Sequence, residues 1–164
     1  MQIKPIIIML AALWPPLLHA ADAVPPHLVG SWGTAESLHA GTTGQSELHL
    51  DVDGLGIMAG STAPAVRADG KDDGKPGPRA IIGFPVRAAW DGDALTVRPD
   101  YPGKDGAKLD PRLALLCRHA PAEPTLTCTG PDGIARVMKR RSETLQADSA
   151  KAIEDFRRQA AAKQ

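Results

Sequence analysis

Aromatic residues are scarce in this chain, with three Trp, two Phe and one Tyr among 164 residues. So few rings exclude a large pocket walled by aromatic side chains. They leave Trp32 and Trp90 as the largest apolar groups beyond the N-terminal segment. Cysteine is scarcer still, at Cys117 and Cys128 only. Two thiolates are too few for a structural metal, and no Cys-x-x-Cys or His-x-x-Cys spacing accompanies them. Neither sign of charge is in excess, with 19 Lys and Arg against 19 Asp and Glu. Nucleic acid and anionic membrane surfaces are therefore not implied as partners. No apolar run reaches the roughly 20 residues of a membrane-spanning helix.

What is present starts with Lys4, an apolar stretch from Ile6 to Leu18 broken by Pro15 and Pro16, and the small-residue run Ala21-Asp22-Ala23. That three-part layout predicts a signal peptide over residues 1–23, cleaved after Ala23 or, as second choice, after Ala20. No Cys stands at the junction, so no lipid anchor is expected. The mature protein is then periplasmic or secreted; its richness in Ala, Gly, Pro and Arg is associated with GC-rich bacterial genomes and so with a periplasm. In an oxidising compartment the close pair Cys117 and Cys128 is most simply a disulfide, which stabilises by about 3 kcal/mol on a chain-entropy basis.

The stretch LHLDVDGLGIMAG, residues 48–60, admits three readings. A dinucleotide site needs a helix straight after the glycines, yet Ser61-Thr62-Ala63-Pro64 is turn-like. A calcium loop starting at Asp51 would place Leu55 at position five and Thr62 at position twelve, where oxygen ligands are required. The hairpin reading fits: a two-residue turn at Asp53–Gly54 sets Val52 against Leu55, Leu50 against Ile57 and Leu48 against Ala59, with one face apolar. The motif returns at Asp91–Gly92, where Ala88 meets Leu95 and Val86 meets Val97, with Trp90 on the same face. It returns again at Asp132–Gly133. There a two-residue turn sends Val137 inward and a three-residue turn sends Ile134 and Met138 inward, and the sequence leaves both open. Pairing Cys117 with Cys128 across APAEPT puts Leu113, Leu115, Leu126 and both sulfurs on one face.

About eight strands follow, near 29–37, 46–52, 55–60, 80–89, 94–99, 112–118, 124–129 and 134–140. Residues 61–79 and 100–111 are longer links rich in Gly, Pro and charge, read as surface loops. After Arg141 good helix formers take over, and Leu145, Ala152, Ile153, Phe156 and Ala160 form a narrow apolar stripe. The fold class is all-β: an antiparallel up-and-down meander over residues 24–141, followed by a C-terminal helix within 142–164.

Such a meander removes its exposed edges by closing on itself. Here the chain resembles the lipocalin-like, or calycin, barrels. LVGSWGTAE places Gly30-x-Trp32 on the first strand, and a helix follows the last strand. The resemblance implies a small closed barrel in which Arg136 or Arg140 covers the tryptophan; an open two-sheet sandwich is the competing architecture.

The interior set then gives candidate ligand-lining residues: Trp90, Phe84, Val86, Leu50, Ile57 and Leu95, with Leu48, Val52, Ala88 and Val97 beside them. The plainer reading of both tryptophans is core filling. His27, His39, His49 and His119 read as scattered and solvated, with His49 and His119 on outward faces. GSWG lacks the spacing of a nucleophile elbow. No catalytic triad, metal cluster or carboxylate pair is evident, and no cofactor is expected. The expectation is an exported, non-enzymatic protein that holds a small apolar ligand. The alternative is a protein-binding module, such as an inhibitor of a secreted protease or lysozyme. It rests on a resemblance to bacterial metalloproteinase inhibitors, which use a protruding N-terminal segment, a part VPPHL (residues 24–28) would play. Their disulfide lies early in the barrel, whereas this one joins late strands.

Overall fold

The computed structural model describes residues 24–66, 77–101 and 113–162. The expected signal peptide and much of the two long links lie outside the described residues. Eight strands run in order: β1 (Gly30–Gly33), β2 (Ser46–Leu50), β3 (Leu55–Ser61), β4 (Ile81–Trp90), β5 (Leu95–Pro99), β6 (Leu115–Ala120), β7 (Thr125–Thr129) and β8 (Ala135–Ser142). Each pairs antiparallel with the next, and β1 pairs with β8, so the sheet is a closed barrel rather than an open sandwich. The first strand is shorter than the expected 29–37, and the sixth begins later than 112.

Alternation gathers one side of every strand inward. Trp32, Leu48, Leu50, Met58, Val86, Ala88, Leu95, Val97, Leu126, Met138 and both cysteines form one buried cluster with Val24 and Leu28. Each fully buried Leu, Val or Met contributes roughly 1.5–3 kcal/mol of apolar transfer free energy. Closure depends on Gly30. Its φ is +117°, and a Cβ there would sit 2.2 Å from the Ser142 carbonyl oxygen, so only glycine lets β1 approach the end of β8.

The Asp-Gly turns form, with registers that differ from expectation. No residue other than glycine has positive φ among the described residues, which rules out a two-residue type I′ turn at Asp53–Gly54, since both its positions need φ > 0. Val52, Asp53 and Gly54 instead make a three-residue loop, closed by the Asp51 N–H donating to the Leu55 carbonyl at 2.8 Å. Leu50 consequently pairs with Gly56, His49 with Ile57 and Leu48 with Met58. That one-residue slip reverses the faces of β3: Met58 turns in, Ile57 turns out, and Val52 is 54% exposed. At the second hairpin the turn is Gly92–Asp93, so Trp90 meets Leu95 and Ala88 meets Val97. This two-residue shift preserves the faces. The last hairpin takes the three-residue turn, with Met138 buried, Val137 exposed and Ile134 exposed as well.

Apolar Leu55 and Ile57 can face outward because β3 is covered on that side. The helix α1 (Ala147–Ala161) contacts β3. It is shorter than residues 142–164, with Ser142 still in β8. Ile153 is its buried residue; Leu145, Ala152 and Phe156 are half-buried and Ala160 is exposed. Arg157 ties the helix to the β2–β3 turn, its Nη2 donating to Asp51 at 2.6 Å and its Nε to Asp53 at 2.8 Å.

Cys117 and Cys128 are directly opposed across β6 and β7 and are bonded. Replacing both with Ser is expected to lower unfolding free energy by about 3 kcal/mol in urea titrations under oxidising conditions; an unchanged midpoint would show that the bridge adds nothing. Arg157→Ala is expected to lower amide-exchange protection across 147–161 while leaving β1–β8 protected, which hydrogen exchange resolves residue by residue.

Candidate functional site

The two ends of the barrel differ. At one end, which carries the β2–β3, β4–β5 and β6–β7 turns, the segment 24–28 enters the barrel with Val24 and Leu28 buried. Trp32 is fully buried, and its Nε1 donates to the Leu28 carbonyl at 3.0 Å. Arg140, paired with Trp32 across β1 and β8, lies 5.3 Å from the indole centroid and donates to the Val29 carbonyl at 2.7 Å. A guanidinium at that distance is held by the ring's quadrupole. Of the two arginines the resemblance offered, Arg140 covers the tryptophan.

His119 and His27 complete this end: His119 turns inward rather than outward, whereas His27 and His39 are exposed and His49 faces outward. His119 shares the inner face with Cys117 and meets the edge of Trp32 at 5.8 Å. His27, from the N-terminal segment, lies 5.0 Å from His119 and 6.1 Å from Trp90. Sequence spacing carries no sign of the pair, because 27 and 119 meet only through barrel closure. Burial, followed by the neighbouring His27 and Arg140, holds the His119 pKa below the usual histidine value.

The opposite end opens into a cavity of about 190 Å³. Met58, Phe84, Val86, Val97, Pro99, Leu113 and Leu115 wall it, and Gly130, Pro131, Asp132 and Arg136 bring the β7–β8 turn to its mouth. Tyr101 leans against Phe84 at 6.1 Å between centroids. Asp132 and Arg136 form a fork: Nη2 to Oδ2 at 2.7 Å and Nη1 to Oδ1 at 3.3 Å. The guanidinium, with the Ile134 N–H, lowers the Asp132 carboxyl pKa to about 2.

The expected ligand-lining residues divide. Phe84 and Val86 reach the cavity. Leu50 and Leu95 are buried in the core and do not border it, and Trp90 is at the closed end beside His27. Ile57 faces away from the interior, opposite His49, because of the β3 register. The residues missed were Met58, hidden by that register, and Asp132 and Arg136, whose turn reads from sequence only as a hairpin corner.

A second polar constellation sits on the outward face of β1 and β2. The Ser31 hydroxyl and His49 Nδ1 share a hydrogen bond at 2.9 Å, and His49 Nε2 is 3.5 Å from Glu47. Sequence reading found no such trio. It has the residue types of an acyl-transfer relay, yet Ser31 is 1% exposed and does not border the cavity, so its hydroxyl is not presented to a substrate. Burial is the largest influence on His49 and lowers its pKa against the opposing pull of Glu47.

The chain matches no known family model and no curated protein. Among solved structures it is similar to the lipoprotein YedD from Klebsiella pneumoniae subsp. pneumoniae, with a TM-score of 0.46 and 16% identity over 84% of this chain and 91% of that one. Among the described residues no helix is long and apolar enough to cross a membrane.

A native histidine pKa below the unfolded value means that the unfolded chain takes up the proton first. The stabilising contribution is intact above about pH 6.5 and is lost as pH falls through the lowered native pKa. Stability is expected to drop as pH falls below about 6.5. His119→Gln should reduce that slope without abolishing it, since His49 is shifted the same way. Urea midpoints across a pH series measure this, and an unchanged slope in the variant would clear His119 of any part in it.

Proposed function

We propose that this protein is an exported, non-enzymatic binding barrel that holds a small apolar group in the cavity at its open end. The observation carrying this reading is the lining: seven apolar side chains converge on one cavity, and three of them, Met58, Val86 and Val97, also belong to the buried cluster around Trp32. Export is supported by the signal-peptide layout of residues 1–23 and by the disulfide.

Volume limits the ligand. Drug-sized sites occupy roughly 300–1,000 Å³, and an apolar cavity of about 150 Å³ accepts a single benzene ring. At about 190 Å³ the cavity takes one ring or about six carbons of a chain, and any remainder of a longer chain stays outside its mouth. The protein-binding alternative is left with Pro26 and His27, which are exposed, while Val24 and Leu28 of the same segment are buried in the barrel.

Titration with benzene, followed by 1H–15N NMR, is expected to shift the amides of Phe84, Val86, Val97 and Leu115 as one group, leaving the Trp32 end unmoved. Leu115→Trp should fill the void and remove the response, at a cost of about 1–3 kcal/mol from overpacking. Uniformly small shifts spread over the surface would overturn the cavity reading.

A further inference from the structure

Among the described residues that line the cavity, the two charged ones, Asp132 and Arg136, are already spent on each other. Both Asp132 oxygens are engaged: Oδ1 accepts from the Ile134 N–H at 3.0 Å and from Arg136 Nη1, and Oδ2 accepts from Arg136 Nη2. Arg136 Nη1 donates further to the Ile134 carbonyl at 3.2 Å. The two side chains are about equally exposed, 43% and 33%, so neither dominates the potential at the opening. From the cavity this corner is a compact, neutralised dipole above an apolar floor.

We infer that the Asp132–Arg136 pair makes the site selective for uncharged ligands, an apolar group of about six carbons bearing at most a neutral hydroxyl or amide. This deepens the ligand-binding reading and rests on it. A carboxylate arriving at the mouth meets Arg136 already paired and Asp132 repelling it. An ammonium meets the mirror-image situation. Either head surrenders hydration without gaining a free counter-charge. A hydroxyl loses far less water and joins the existing bonds at their edge.

The mechanism requires the preference to follow whichever charge is left unpaired. Asp132→Asn frees the Arg136 guanidinium and should favour anions; Arg136→Gln frees the Asp132 carboxylate and should favour cations. The exchanged pair D132R/R136D, neutral again, should favour neither.

The probes are 1-hexanol, hexanoate and hexylammonium, titrated at pH 7 into the full mature chain and its three variants, with Kd from 1H–15N shifts and a thermal melt to verify folding. For the wild-type protein, hexanol is expected to bind at least tenfold more tightly than either ion. Hexanoate should gain about tenfold in Asp132→Asn, hexylammonium about tenfold in Arg136→Gln, and the exchanged pair should restore the wild-type order. Hexanol binding with no discrimination between heads, or with an order unmoved by both single variants, overturns the selectivity inference and leaves the cavity reading standing. If none of the three binds the wild-type chain, the cavity reading fails and the inference fails with it. Should one variant fail to melt cooperatively, the other single variant and the exchanged pair still decide the matter.

Discussion

Trp32 is the residue on which the two ends of the meander converge. It is opposite Leu48 on β2 and Arg140 on β8, bonds to the Leu28 carbonyl and lies beneath the Arg140 guanidinium. One indole therefore links the first strand, the last strand and the N-terminal segment. Gly30 makes the arrangement possible by letting β1 approach Ser142. Closure at this seam removes the two exposed sheet edges. It also determines which end of the barrel is filled.

Because the bulky groups gather at that end, the opposite end is left under-filled. The strands there contribute Val, Leu, Met and one Phe to the lining, and the β7–β8 turn supplies a self-neutralising ion pair at the rim. The division between a sealed end and an open one is thus a consequence of where two tryptophans and two histidines fall in the register. The open end presents a small apolar cavity. The end at Trp32 is a packed plug, where burial is the main cause of the lowered His119 pKa.

Much of the architecture was legible in the chain. Asp-Gly corners marked three hairpins, alternation marked the inner faces of β2, β4, β5, β6 and β7, and the close cysteines marked a facing pair. The candidate site was less so. Phe84 and Val86 follow from alternation on β4, but Ile57 was misassigned because LGIMA on β3 is apolar on both faces. No local pattern can orient such a strand. A two-residue type I′ turn would have placed Ile57 inside; the chain avoids positive φ at Asp53, takes a third residue into the loop, and Met58 enters instead.

Sequence by itself determined the number of strands, their order, the places where the hairpins reverse and the Cys117–Cys128 bond, because alternation and turn chemistry are local and act over a few residues. Tertiary structure alone decided which side of β3 is inside, that His27 meets His119, and that Asp132 and Arg136 border a void. These depend on what lies across the barrel or on top of it: helix α1 over Leu55 and Ile57, the N-terminal segment beneath Trp32. A strand with two apolar faces is oriented by the layer that packs against each of them, and that layer comes from residues about a hundred positions away, where no periodicity reaches.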